Sequence, residues 1–271
     1  MRRLLAGRSV LITGASRGLG RCLAEQAAAS GARLTLAARS ADKLKEVAAE
    51  LTARAEDVLA VHADVTVDED RQRLLDAAGQ RFGGLDVLIN NAGVASFGHF
   101  GDSSEAVLRQ VMEVNFFAPA ELIRLAIPVL RRGRQPAIVN IASMCGRRGL
   151  PAWLEYSASK FALCGLTEAL RGELVRFGID ILLVLPGLTR TDLGSNLLRN
   201  AGRMKIDFAA GMPPETVAAK VLLALKKNWT ETVVGREARQ ILLVNRFLPR
   251  LVDFLMARKV RSLYASSSAE S

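Results

Sequence analysis

Histidine, tyrosine and cysteine are scarce in this chain of 271 residues, which holds two, two and three of them. Cys22, Cys145 and Cys164 are odd in number, widely spaced and outside any CxxC or Cys/His ligand pattern, so neither a disulfide framework nor a metal site is expected. A chain of this length buries a large core without such staples. Unpaired thiols fit a reducing compartment, and a cytoplasmic location is expected. His62 and His99 stand in no catalytic pattern and are read as structural or exposed. No run of about 18 uncharged apolar residues occurs, which argues against a spanning helix. Met1 to Gly7 lack the apolar stretch of a signal peptide, so secretion is not expected. There is no internal repeat, no linker marking a second domain and no low-complexity tract except the Ser-rich end from Ala265 to Ser271, expected to be disordered.

What the chain does have is a net charge of +10, which admits polyanions, anionic lipids or acidic substrates as partners. It also has short apolar runs alternating with amphipathic segments. The runs lie at Val10 to Ile12, Leu34 to Leu36, Val58 to Val61, Val87 to Ile89, Ala137 to Val139 and Ile181 to Val184. Helical spacing fills Leu23 to Ser30, Lys43 to Thr52 and Arg71 to Phe82. The alternation predicts an α/β fold, a doubly wound parallel sheet of Rossmann type with helices on both faces, its strands buried on both sides. From Leu188 to Met212 apolar residues are scattered among Gly, Asn and Arg, a segment read as a substrate lid. Residues 1–235 are expected to form one catalytic domain that includes this lid.

The first strand runs into Thr13-Gly14-Ala15-Ser16-Arg17-Gly18-Leu19-Gly20 and then a helix. Glycines there permit close approach to a pyrophosphate, and a helix N-terminus offers free N–H groups. The spacing is TGxxxGxG and not GxGxxG. The second strand ends in Ala37-Ala38-Arg39-Ser40, without the carboxylate that would bond a ribose 2′-OH. Arg39 with Arg17 would instead clamp a 2′-phosphate, which favours NADP(H). In Tyr156-Ser157-Ala158-Ser159-Lys160 the phenol and ammonium share one helix face, where the cation is expected to lower the phenol's pKa.

These motifs resemble those of the short-chain dehydrogenase/reductase family, classical type, over residues 8–235. The resemblance implies a cofactor site at Gly14, Ser16, Arg17, Gly18, Leu19, Gly20 and Arg39. Asp64-Val65 would contact the adenine. In Asn90-Asn91-Ala92-Gly93, Asn91 would brace the sheet, with Ala92 and Gly93 admitting the cofactor. Pro186, Gly187, Thr189 and Thr191 follow the sixth strand; Thr189 departs from the family's usual aliphatic residue, at a position that acts through its backbone. The implied catalytic tetrad is Asn115, Ser143, Tyr156 and Lys160, with Ser143 on the substrate oxygen, Asn115 holding a water against the lysine, and Tyr156 and Lys160 also on the cofactor. A homodimer or homotetramer is usual in the family.

The implied reaction is carbonyl–alcohol interconversion, and the apolar lid and tail favour reduction of a small lipophilic ketone or aldehyde. An alternative is a 3-oxoacyl reductase whose Arg147 and Arg148 dock an acidic carrier protein. A third reading, a cofactor-sensing protein without catalysis, is disfavoured by the complete tetrad. The segment 236–264 is basic and amphipathic; from Arg236 to Arg261 seven basic residues face two acidic ones, a net of +5. With Pro249 breaking it into two helices, it resembles a segment lying on a membrane surface. The competing reading packs it on the pocket or a subunit interface. No recognition module accompanies the charge, so no nucleic-acid partner is expected.

Overall fold

The computed structural model describes residues 3–52, 57–204 and 206–265. Seven parallel strands form one sheet: β1 (Ser9–Thr13), β2 (Arg33–Ala38), β3 (Asp57–His62), β4 (Val87–Asn90), β5 (Ala137–Ile141), β6 (Asp180–Pro186) and β7 (Glu231–Val234), in the order β3-β2-β1-β4-β5-β6-β7. The order reverses between β1 and β4, the switch point where a crevice opens outside the strand ends. All six expected runs are strands. The seventh, Glu-Thr-Val-Val, escaped the sequence reading because a four-residue edge strand with only two apolar residues, Val233 and Val234, leaves too short an apolar run. Burial on both faces holds for β1, β4 and β5, whereas the edge strand β3 is only half-buried along most of its length.

Alternate residues of each strand point to opposite faces, and each face carries its own helices. One layer contains α1 (Gly18–Ala28), α2 (Ala41–Thr52) and α7 (Pro214–Lys226), with Leu23, Leu44 and Val221 packed around Val10, Ile12 and Leu34. The other contains α3 (Asp68–Phe82), α5 (Ala118–Leu130) and α6 (Leu154–Leu174), with Leu74, Leu122 and Leu174 around Leu11, Leu88 and Ile138. Between α4 (Glu105–Met112) and α5 lies one π-helical turn, Glu113–Phe117. A buried polar ladder fixes α6 to the sheet. Asn90 Nδ2 donates to Asn140 Oδ1 at 2.9 Å, and Asn140 Nδ2 to Thr167 Oγ1 at 2.9 Å.

Residues 188–204 and 206–212 of the segment expected to be a lid form a flap. Its base is tied by Met212 N to Leu188 O at 2.9 Å and Arg190 N to Met212 O at 2.8 Å. Leu193, Leu197, Met204, Ile206 and Phe208 pack against Phe97 and Trp153. Beyond β7 come α8 (Arg236–Phe247) and α9 (Pro249–Ala265), divided at Pro249 as the sequence predicts. Proline is well suited to the first helical position, where its missing N–H costs nothing. Of the end expected to be disordered, Ala265 is helical; the remainder, 266–271, lies outside the described residues. No described helix is long and apolar enough to cross a membrane.

Candidate active site

The residues nominated for the dinucleotide, from Gly14 to Thr191, line one cavity of 790 Å³ at the carboxyl ends of the strands. Glycine is required at its floor. Gly14 has φ +66°, and a Cβ there would lie 2.9 Å from Ala92 Cα. A Cβ on Gly20 would lie 2.1 Å from Gly14 O and 2.5 Å from Asn91 Nδ2. Asn91 Nδ2 donates to Thr13 O at 2.9 Å and Gly14 O at 3.2 Å, while Thr13 Oγ1 accepts from Asn91 N and Ala92 N, each at 3.0 Å. These bonds weld the β1 turn to the end of β4. The N-terminus of α1 faces the resulting trough, and Thr191 of the flap comes to 3.4 Å from where a Gly18 Cβ would stand. A slot with glycine walls and a helix N-terminus fits a pyrophosphate.

At the end of β2 the cavity is lined by Arg39, Ser40 and Lys43, with Asp64 and Val65 after β3 and Arg17 at the start of α1 also in its lining. Sequence reasoning missed Ser40 and Lys43; their positions at the entry of α2, immediately beyond Arg39, were the available signal. Arg39 Nη1 stands 3.9 Å from Asp64 Oδ2, and Asp64 Oδ1 accepts from Thr66 N and Oγ1 at 2.9 and 2.8 Å. His62, exposed as expected, has Nε2 3.0 Å from Arg39 O.

At the other end Ser143, Tyr156 and Lys160 converge. Ser143 Oγ accepts from Cys145 N at 3.1 Å, which orients its hydroxyl. Lys160 Nζ donates to Ile141 O at 2.9 Å and lies 5.7 Å from the Tyr156 ring centroid. The phenol's pKa departs from the sequence expectation. Burial pushes it up, helped by the nearby Cys145 thiol, and the hydrogen bond with Ser143 only partly opposes this. The same burial lowers the Lys160 ammonium to about 8. Desolvation thus outweighs the attraction that the spacing alone suggested.

Asn115 is buried in the π turn and set back from the cavity wall. Its Oδ1 accepts from Val94 N at 2.9 Å, and its Nδ2 donates to Val94 O at 2.8 Å and Ser159 Oγ at 2.9 Å. The side chain therefore braces the exit of β4 against α6. A Cβ on Gly93 would meet Asn115 Oδ1 at 3.2 Å and Lys160 Nζ at 3.7 Å, so glycine there leaves room beside both groups. Thr189 Oγ1 donates to Gly187 O at 3.0 Å, and its backbone bridges to Met212, so the departure from an aliphatic residue is accommodated within the loop.

Beyond Tyr156 the wall is apolar, built from Val94, Met144, Leu150, Trp153, Met204 and Phe208. Glu237 and Lys259 of the last two helices also line the cavity. Arg148 holds those helices, with Nη2 2.5 Å from Asp253 Oδ1 and Nη1 3.1 Å from Asn245 Oδ1. Arg147 pairs with Glu168 and, at 2.7 Å, with Glu231.

The family model described as short chain dehydrogenase matches residues 8–202. The chain is similar to dehydrogenase/reductase SDR family member 7B of Bos taurus, 36% identical over 272 residues, covering 96% of this chain and 84% of the relative. It is also similar to ketoacyl reductase HetN of Nostoc, 34% identical over 256 residues, covering 92% and 88%. A short-chain dehydrogenase/reductase from Burkholderia phymatum, solved in complex with NAD, superimposes with a TM-score of 0.84 at 27% identity, covering 92% of this chain and 96% of that one.

Proposed function

The chain belongs to the short-chain dehydrogenase/reductase family of oxidoreductases, and from that premise we propose that it reduces a lipophilic ketone or aldehyde with NADPH. The observation that carries this reading is the convergence of Ser143, Tyr156 and Lys160 between a glycine-walled trough and an apolar chamber. Arg17, Arg39, Ser40 and Lys43 support a 2′-phosphate at the far end of the trough, since three cations and a hydroxyl suit a dianion. Bound in the trough, NADPH supplies the hydride.

The protein's own groups handle orientation and the proton. Ser143 O–H donates to the substrate oxygen and holds the carbonyl beside the phenol. Tyr156 Oη gives its proton to that oxygen as negative charge develops there, and the Lys160 ammonium stabilises the phenolate left behind. A phenol whose pKa is raised by burial is well matched to this direction, because it stays protonated until an alkoxide is present to take the proton. Asn115 acts as a positioning residue through Val94 and Ser159. The chamber of Trp153, Met204 and Phe208 excludes water and favours an apolar substrate body.

Arg147 and Arg148 are both engaged in ion pairs within the chain, which makes them less available for docking an acidic carrier. The test is NADPH oxidation over a panel of ketones and aldehydes of increasing chain length. Catalytic efficiency rising with apolar length, and lost in Tyr156→Phe, is expected. Turnover confined to short polar carbonyls, or to carrier-bound 3-oxoacyl groups, would overturn the substrate class.

A further inference from the structure

The last two helices have two faces, and only one is used by the fold. Inward, Ala238 and Val252 are buried, Ile241 and Leu242 pack beside Tyr156, Met144 and Cys145, and Met256 lies 3.3 Å from Arg148 Nη2. Outward, Leu243, Val244 and Phe247 follow one another at helical spacing on α8, and Leu251, Phe254 and Leu255 do so on α9. These six are exposed, Leu243 by 60%, Phe247 by 69% and Phe254 by 57%, and Leu248 at the turn between the helices adds to them. No other segment of the described chain shows so dense a run of exposed large apolar side chains. Arg239 and Arg246 flank the strip on α8. Arg250, Arg258 and Arg261 project outward along α9, and all five are exposed.

We propose that this outward face of α8 and α9 docks the protein on an anionic lipid surface. An apolar strip bordered by arginines is matched by acyl chains below and phosphate headgroups around them, whereas a second protein would have to present an equally acidic rim. The net +5 between Arg236 and Arg261 supplies the charge complementarity. The docked orientation has a consequence for the pocket. The inner faces of the same helices contribute Glu237 and Lys259 to its lining, so contact with a bilayer sets the mouth of the apolar chamber beside the lipid phase from which a lipophilic carbonyl partitions. This consequence rests on the proposed substrate class; the docking itself does not, because it is read without turnover.

The experiment is flotation of the full chain with vesicles of phosphatidylcholine alone and of phosphatidylcholine with phosphatidylglycerol, at low and high salt. Binding is expected with the anionic vesicles and reduced by salt. The triple variant Phe247→Asp, Leu251→Asp, Phe254→Asp should lose about tenfold or more in partitioning to both lipids. The pair Arg258→Glu, Arg261→Glu should lose about tenfold or more on anionic vesicles only. Light scattering accompanies each sample. Equal flotation by wild type and variants overturns the proposal, as does absence of flotation. A wild-type dimer that ignores vesicles and splits in the triple variant overturns it in favour of self-association. Reduction of a small water-soluble aldehyde should be unchanged in both variants, and a variant that has lost it is replaced by the single change Phe254→Asp, whose outcome is decided on the same criteria.

Discussion

At the scale of single residues the site depends on how burial and charge compete. Lys160 is charged below about pH 8 and loses its proton above it, so the phenolate loses its counter-ion as pH rises. The efficiency of carbonyl reduction is therefore expected to fall above about pH 8 in a pH–rate profile. Lys160→Arg, whose guanidinium stays charged, should move that limb up by at least about one unit even though its shape lowers turnover. An unmoved limb would assign the titration to another group. Tyr156→Phe removes the proposed proton donor and should cost roughly a hundredfold or more in turnover with cofactor affinity kept, measured by single-turnover kinetics and ligand binding. If the proposed NADPH site is correct, Arg39→Asp replaces attraction for a 2′-phosphate with repulsion. The ratio of efficiencies with NADPH and NADH should drop about ten- to a hundredfold, the worth of one charge-assisted bond. A constant ratio would mean that Arg17 and Lys43 carry the phosphate or that NAD is the cofactor.

At the scale of elements, the trough exists because three pieces of chain approach within contact distance. Gly20 of α1 sits under Gly14 O and Asn91 Nδ2, so Gly20→Ala forces the helix away from the β1 turn. Cofactor affinity should fall at least about tenfold, read by quenching of protein fluorescence, and the midpoint of thermal unfolding should fall with it, since overpacking of this kind costs about 1–3 kcal/mol. The position of α6 is set by different means. The Asn90–Asn140–Thr167 ladder, together with Asn115 on Ser159, fixes the helix that carries Tyr156 and Lys160, and none of these contacts leaves a periodic trace in the sequence. Glu155, one residue before the tyrosine, is buried with Oε2 accepting from Ser96 Oγ at 2.9 Å, a second tether beneath the flap.

For the whole molecule, the buried ammonium is a stability term with a defined sign. The folded pKa of Lys160, about 8, lies below its ordinary value of 10.5, so the folded state holds fewer protons between these limits. The destabilisation is full below about pH 8 and vanishes as pH rises past 10.5. Lys160→Met should thus be more stable than wild type at neutral pH, by up to about 3 kcal/mol, and the difference should close on the alkaline side. The difference between the two proteins is the quantity to follow in denaturant titrations. The thiols of Cys22 and Cys164, pushed up to about 11 by burial, pull stability down over the alkaline range in both. A difference independent of pH would show that packing, and not charge burial, separates them.

The sequence by itself determined six of the seven strands and the residues nominated for the trough. Strands β1, β4 and β5 are buried on both sides and so read as continuous apolar runs, and a phosphate-binding turn needs glycines at fixed spacing. Both kinds of signal are local. Only the tertiary structure decided the rest, because it depends on what comes near in space. It placed Ser40 and Lys43 beside Arg39, turned Asn115 toward Val94 and Ser159, and engaged Arg147 and Arg148 in ion pairs. It also reversed the expected shift at Tyr156, since a YxxxK spacing reports the distance between two groups but not how much water their surroundings remove. The sequence left the basic tail divided between a packing element and a membrane surface. The fold gives its inner face to the pocket and leaves its outer face exposed, which no helical periodicity distinguishes until a neighbour is in place.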